Sequence, residues 1–100
     1  MALMRRKTAP KPSRGCAELD AARELDPAPI TAAGCQECLE LGVDTWTNLR
    51  LCVACGHVGC CDSSQYRHAT GHYESSQHPV MRSFEPGETW RWCFVHNRIG

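Results

Sequence analysis

The sequence predicts one small domain of mixed helix and strand that has too few apolar residues for an ordinary hydrophobic core. Only sixteen of the 100 residues are Leu, Ile, Val or Phe, a smaller share than a self-sufficient core needs. The chain also has eight Cys, three Trp and no net charge, a composition that favours a compact, cross-linked chain over a disordered one. We therefore expect folding to depend on cross-links or bound metal.

A series of soft metal ligands runs through the middle of the chain. It contains two Cys-x2-Cys pairs, another cysteine and three histidines, in the order Cys35, Cys38, Cys52, Cys55, Cys60, His68, His72 and His78. Structural zinc takes four thiolate or imidazole ligands in a tetrahedron, and a Cys-x2-Cys turn supplies two of them. Eight ligands predict two zinc sites, and the spaced histidines favour zinc over disulfides. Spacing alone leaves open a sequential filling, in which the two cysteine pairs share one ion.

The first half of the chain predicts little regular structure. Residues 16–33 are consistent with a loop that contains one helical turn. Residues 45–51 combine β-branched and aromatic side chains in alternation, which predicts a strand leading into the second cysteine pair.

Side chains at positions 62–65 suit a helix N-terminus, so we expect a helix of about a dozen residues that carries two of the histidines.

A hairpin is predicted near the end of the chain. Residues 80–84 and 89–95 have strand character and flank Glu-Pro-Gly-Glu, which suits a type II turn. In the second strand Trp90, Trp92 and Phe94 fall on one face because side chains alternate along a strand.

The charges of the chain are unevenly placed. Residues 1–14 carry five basic residues and no acid, whereas the remainder carries six bases and eleven acids. We interpret residues 1–14 as a flexible basic tail, and the acidic remainder as a poor surface for nucleic acid. No apolar run follows the basic start and none has membrane-spanning length, so we expect a soluble, cytoplasmic monomer without membrane attachment.

The ligand series, the Trp46-x-Asn48-Leu49 strand, the His78-Pro79 step and the Trp92-Cys93 pair together resemble the UBP-type zinc finger, the ubiquitin-binding module of ubiquitin-specific proteases. The resemblance covers about residues 16–96 and places the domain at residues 15–100. It implies a small α+β fold, in which a helix packs on a twisted antiparallel sheet stabilised by zinc. It also implies interleaved sites: one zinc ion would be bound by Cys35, Cys38, Cys60 and His68, and another by Cys52, Cys55, His72 and His78.

A third site is suggested by family members that bind more zinc. Their extra ligands match Cys16, Glu18, Cys93 and His96 here. Glu18 stands where the family usually has histidine, but a carboxylate oxygen can also bind zinc. The alternative is that Cys16 and Cys93 are ordinary small buried residues.

Ubiquitin-binding members hold the free Gly-Gly end of ubiquitin in a pocket beside the sheet. The resemblance implies that Trp46, Trp92 and Phe94 are the apolar walls of such a pocket. The arginine that binds the terminal carboxylate in the family is replaced here by Asp62, and a like charge disfavours that ligand. Arg82 and Arg91 are alternative sources of positive charge.

We therefore expect a non-catalytic zinc module that binds a protein or peptide partner. Four-ligand sites leave no open position for catalysis, and the sequence lacks zinc-hydrolase motifs. Two alternatives are nucleic-acid binding through residues 1–14 and redox or metal sensing through Cys61. Otherwise Cys61 is interpreted as a packed thiol, and His57 as a turn residue or a hydrogen-bond donor near a ligand.

Overall fold

The computed structural model describes residues 16–100; the proposed basic tail lies outside this range. Its elements are α1 (Ala17–Ala21), α2 (Gln36–Glu40), β1 (Leu49–Cys52), β2 (Val58–Cys60), α3 (His68–Ser76), β3 (Val80–Ser83), β4 (Arg91–Cys93) and β5 (Arg98–Ile99). The strands form one antiparallel sheet in the order β2-β1-β3-β4-β5. Helix α3 packs against β1 and β2, so the expected α+β fold is confirmed. Within the described range no helix has the length and apolar character to span a bilayer.

The predicted hairpin corresponds to β3 and β4. Met81 lies opposite Trp92 across the pair. In the connecting turn the N–H of Glu88 donates to the carbonyl of Glu85 at 3.2 Å. Gly87 has a φ of +83°, the backbone conformation that the third position of a type II turn requires.

Helix α3 begins at His68 and not directly after the capping side chains at positions 62–65. Those side chains have other partners: the N–H of Thr47 donates to Ser64 Oγ at 2.8 Å, and Thr70 Oγ1 donates to Asp62 Oδ1 at 2.5 Å. Arg67, just before the helix, has a left-handed φ of 49°, so the chain turns sharply before His68. Tertiary contacts therefore override the local capping signal.

The hydrophobic core is small. Leu51, Val58 and Val80 are at most 2 % exposed, and Leu19 of α1 is 4 % exposed against the same cluster. The rest of this core cluster consists of small residues: Cys16, Ala22, Val53 and Cys93. A core with so few aliphatic side chains makes cross-links or bound metal the expected source of additional stability.

Candidate metal centres and the groove beside the sheet

The first cluster of candidate ligands consists of Cys35, Cys38, Cys60 and His68. Its cysteines come from the start of α2 and the end of β2, and the histidine opens α3. The Nδ1 atom of His68 lies 3.2, 3.4 and 3.6 Å from the three sulfur atoms. All three cysteines are at most 1 % exposed, and the backbone N–H of His68 donates to Cys60 Sγ at 3.3 Å.

The second cluster consists of Cys52, Cys55, His72 and His78. Cys52 ends β1, Cys55 lies in the following turn, and the histidines lie within and just after α3. Cys52 Sγ is 3.5 Å from His78 Nδ1, and Cys55 Sγ is 3.5 Å from His72 Nε2. Burial lowers the pKa of His72, as do the nearby His57 and His78, and this favours the neutral imidazole that binds metal.

A third cluster consists of Cys16, Glu18, Cys93 and His96. His96 Nδ1 lies 3.5 Å from Cys16 Sγ, 3.8 Å from Cys93 Sγ and 3.1 Å from Glu18 Oε1. Both cysteines are fully buried. The cluster joins the start of α1 to the end of β4, two elements that also pack against each other.

The three clusters have the dimensions of tetrahedral zinc sites. In each, one donor atom from every residue lies within 4.8 Å of the others. Zinc bond lengths of about 2.3 Å to sulfur and 2.0 Å to nitrogen place two sulfur ligands about 3.8 Å apart and a sulfur and a nitrogen about 3.5 Å apart. The Cys38 and Cys60 sulfurs are 3.9 Å apart, and the sulfur–nitrogen distances above scatter around 3.5 Å. None of the eight cysteines forms a disulfide, and the two Cys-x2-Cys pairs lie in different clusters.

Loss of Cys16 is expected to remove one metal ion from the chain. Cys16→Ser takes a thiolate from the third cluster and leaves the other two intact, so native mass spectrometry should count two zinc ions instead of three. Cys61→Ser is the matched control, since Cys61 belongs to none of the clusters; it should leave the count at three. Equal counts in wild type and Cys16→Ser would show that the third cluster holds no zinc.

Cys61 is packed inside the domain. Its side chain is 5 % exposed, and its sulfur lies 3.7 Å from Ser64 Oγ. Burial raises the pKa of this thiol, but hydrogen bonds from Ser64 and from nearby backbone groups, together with Arg50, outweigh burial and lower it. A thiol this inaccessible gives no support to a sensing role.

Trp46 lies apart from the other two aromatic residues singled out in the sequence. It packs against the cysteines of the first cluster, and its outer edge borders a shallow depression formed with residues 63–65. Gly34 lies directly against the Trp46 ring, with a φ of +148°, and a Cβ at this position would overlap the ring. Trp46 is therefore a wall of the first metal centre.

Gly34→Ala is expected to displace Trp46 and to destabilise the zinc-bound domain by about 1–3 kcal/mol, the usual cost of overpacking, beyond the strain of the backbone. Gly42→Ala is the matched control: its φ of +78° is also positive, but no atom of residues 16–100 lies within 4 Å of the added methyl group. Urea unfolding followed by tryptophan fluorescence measures both. Equal losses for the two variants would show that the contact with Trp46 is unimportant.

A groove of about 200 Å³ lies between α3 and the face of the sheet. Its aromatic wall comes from Trp90, Trp92 and Phe94, so the shared face predicted for these residues is the groove face; Trp46 does not line it. Tyr73 of α3 stacks on Phe94, with ring centroids 4.8 Å apart. Asp62, held by Thr70, lines the side nearer α3.

The positive charge in the groove comes from Arg50, a residue that sequence reasoning did not select. Its guanidinium carbon lies 4.6 Å from the centre of the Trp90 ring, in cation–π contact. Neither Arg82 nor Arg91 lines the groove. Arg82 is paired with Asp26 at 3.0 Å, and Arg91 donates to the carbonyl of Ala22 at 2.5 Å. The strand character of β1 was visible in the sequence, but its pairing with β3, which brings Arg50 beside Trp90, was not.

Comparison with known proteins assigns this arrangement to a family. Residues 35–98 match the family model described as the zinc finger in ubiquitin-hydrolases and other proteins. The chain is 33 % identical over 78 residues to the BRCA1-associated protein of Homo sapiens and of Mus musculus, a match that covers 73 % of this chain and 12 % of each relative. It is 32 % identical over 90 residues to histone deacetylase 6 of Caenorhabditis elegans, covering 86 % of this chain and 9 % of that protein. The chain thus spans about a tenth of the length of these curated relatives.

A solved structure shares the fold. The solution structure of protein RPA1320 from Rhodopseudomonas palustris is 40 % identical and superposes with a TM-score of 0.71, covering 85 % of this chain and 79 % of that one. The family match, this fold and the three ligand clusters agree with one another. The chain therefore belongs to the UBP-type zinc-finger family and is a zinc-binding protein.

Proposed function

We propose that this chain is a non-catalytic module, held in shape by three zinc ions, that binds an extended segment of a partner protein in the groove beside its sheet. The zinc ligands are the members of the three clusters: Cys35, Cys38, Cys60 and His68; Cys52, Cys55, His72 and His78; and Cys16, Glu18, Cys93 and His96. Each set fills all four tetrahedral positions, which suits a structural ion and leaves no position for a reacting water. Seven thiolate ligands need a reducing compartment, which supports a cytoplasmic location.

The single observation that carries partner binding is the composition of the groove. Three half-buried aromatic side chains line it and remain partly open to solvent. Aromatic side chains with a nearby arginine are the groups that contribute most to binding at protein interfaces. Arg50 is available to an acidic group of the partner because it is held by a ring and by the carbonyl of Leu49 at 3.0 Å, with no acidic partner of its own among the ion pairs of residues 16–100.

The partner need not be ubiquitin. In ubiquitin-binding members of the family the terminal carboxylate is held by an arginine at the position of Asp62. Here Arg50 of β1 lines the groove, and Asp62 lines it where it contacts Thr70 of α3. We propose that the groove selects a free C-terminal carboxylate through Arg50, and that Asp62 excludes ends that would place their negative charge near α3.

Isothermal titration against short peptides tests this function. Each peptide is used as the free acid and as the C-terminal amide, with ubiquitin as a further ligand. The free acid should bind about 10- to 100-fold more tightly than the amide, the range expected for one charged hydrogen-bonded contact. Arg50→Gln should remove that difference, and Arg82→Gln, outside the groove, should preserve it. Absence of heat with every free-acid peptide would exclude carboxylate binding.

Asp62→Arg is expected to restore the family's charge at this position. The new guanidinium would attract a terminal carboxylate where the wild type repels it, so affinity for ubiquitin and for a free-acid peptide ending in Gly-Gly should rise by about tenfold or more. Asp62→Asn is the control, because it removes the repulsion without supplying a donor of opposite charge. The same titration measures all three proteins; no gain with Asp62→Arg would mean that the groove does not align a peptide end with position 62.

A further inference from the structure

His57 lies between the first and second metal clusters. Its side chain is 7 % exposed and its ring stacks on His72, with centroids 4.0 Å apart and planes 4° from parallel. Its Nε2 lies 2.6 Å from Glu37 Oε2, a distance at which the carboxylate accepts a charge-assisted hydrogen bond from the imidazole N–H. The His57 ring therefore contacts both Glu37, which lies beside the first cluster, and His72, a ligand of the second.

Glu37 lies in the sequence between two ligands of the first cluster. It occupies the Cys35-Gln36-Glu37-Cys38 turn, so its backbone moves with two of the ligands. Its other oxygen, Oε1, is buried and has no hydrogen-bond partner within the described part of the chain. His57 thus supplies the hydrogen bond to a partly buried carboxylate, and its loss would leave that charge without compensation.

The surroundings leave His57 little freedom. A Cβ added at Gly59 would lie 3.0 Å from His57 Cε1 and 2.7 Å from the backbone nitrogen of Ala69, so strand, ring and helix are in close contact. The stacked ring in turn restricts the plane of His72, whose Nε2 faces Cys55 at 3.5 Å. Contacts that run from Glu37 through His57 therefore restrict the orientation of His72, a ligand of the second cluster.

We infer that the Glu37–His57 pair couples the two metal centres, so that filling the first cluster pre-orients His72 and raises the metal affinity of the second. His57 acts as a positioning residue and not as a ligand. The inference rests on the ligand assignment proposed above. Groups that orient a metal ligand through such contacts typically change metal affinity about 10- to 100-fold when they are substituted, and coupling between two sites is reciprocal.

Cadmium titration followed by ¹¹³Cd NMR tests the coupling, because cadmium shielding depends on the ligand atoms and separates the three-sulfur first cluster from the two clusters that have two sulfurs each. The two-sulfur signal that Cys16→Ser removes belongs to the third cluster, so the other two-sulfur signal belongs to the second. In the wild type the signals of the first and second clusters should rise together. In His57→Phe and in Glu37→Ala the first should fill before the second, whose affinity should be about 10- to 100-fold lower. The double variant should be no worse than His57→Phe alone, since the two residues act as one unit.

Val53→Ala is the control for general destabilisation, because Val53 is 3 % exposed in the other core cluster; its two signals should still rise together. Additive effects of the two substitutions, or joint filling in His57→Phe, would overturn the coupling. Failure of the ligand assignment is separately visible: the saturated wild type would then hold fewer metal ions than the clusters require.

Discussion

Removal of zinc with a chelator is expected to unfold residues 16–100 as a unit. The core contains few aliphatic side chains, and the ligand clusters tie α1, α2 and α3 to strands that are distant in sequence. Structural zinc supplies about 10–16 kcal/mol of apparent binding free energy in small zinc-finger peptides, as much as the whole stability of a typical domain, about 5–15 kcal/mol. Metal binding and folding are therefore expected to be one equilibrium.

Circular dichroism and proton NMR measure this result directly. Stripped protein should lose its dispersed amide signals and its cooperative thermal transition, and added zinc should restore both, whereas magnesium should not because it prefers oxygen ligands. Cys61→Ser should behave as the wild type does. A stripped chain that kept its native spectrum and an unchanged melting temperature would show that apolar burial, and not metal, holds the fold.

Zinc binding is expected to release protons and to weaken steeply in acid. A cysteine thiol in the unfolded chain has a pKa near 9.0, and burial in the fold raises the pKa of Cys35, Cys52 and Cys93 and raises that of Cys38 to about 12. In either state these thiols carry protons at neutral pH, which zinc must displace. The first cluster has three thiols. Its apparent zinc affinity should therefore fall about a thousandfold per pH unit as the pH decreases below the thiol pKa values.

The sign of the pH dependence distinguishes the zinc-bound fold from the metal-free one. The zinc-bound fold holds fewer protons than the unfolded chain, so its stability increases with pH and is lost in acid. Raised thiol pKa values have the opposite effect on a metal-free fold: their contribution is present below the ordinary value of 9.0 and lost as the pH rises toward 12. Alkali should therefore not rescue the stripped protein.

Isothermal titration in buffers of different ionisation enthalpy counts the released protons. Competition with a chelator between pH 6 and 8 measures how the apparent zinc affinity changes with pH. The Cys16→Ser variant is the matched control, since it should release fewer protons while its first cluster keeps the same slope. A zinc affinity independent of pH would contradict thiolate ligation.

Much of the chemistry could be read from local sequence. The Cys-x2-Cys pairs, the spaced histidines and the Pro-Gly turn of the β3–β4 hairpin are short-range patterns, because a tetrahedral edge or a tight turn is built from residues a few positions apart. The family resemblance supplied the interleaving, which spacing had left open, and the clusters have that composition.

Other features depended on contacts between distant segments. The late start of α3 accompanies a hydrogen bond from the N–H of Thr47, in another segment, to Ser64, and one from Thr70 of the helix to Asp62. The location of Trp46 beside the first cluster depends on its contact with Gly34. The apolar face of β4 could be predicted from the alternation of its side chains, but the position of Arg50 beside that face could not.

The sequence by itself indicated a zinc-binding chain, because metal ligands must recur at spacings that bond lengths and turns dictate, and its resemblance to the UBP-type zinc finger implied the α+β fold. Only the tertiary structure decided that Arg50 enters the groove and that His57 joins Glu37 to His72. Those contacts arise from strand order and from the packing of helices on the sheet, and no local pattern encodes them, because they join residues 15 to 40 positions apart in the sequence.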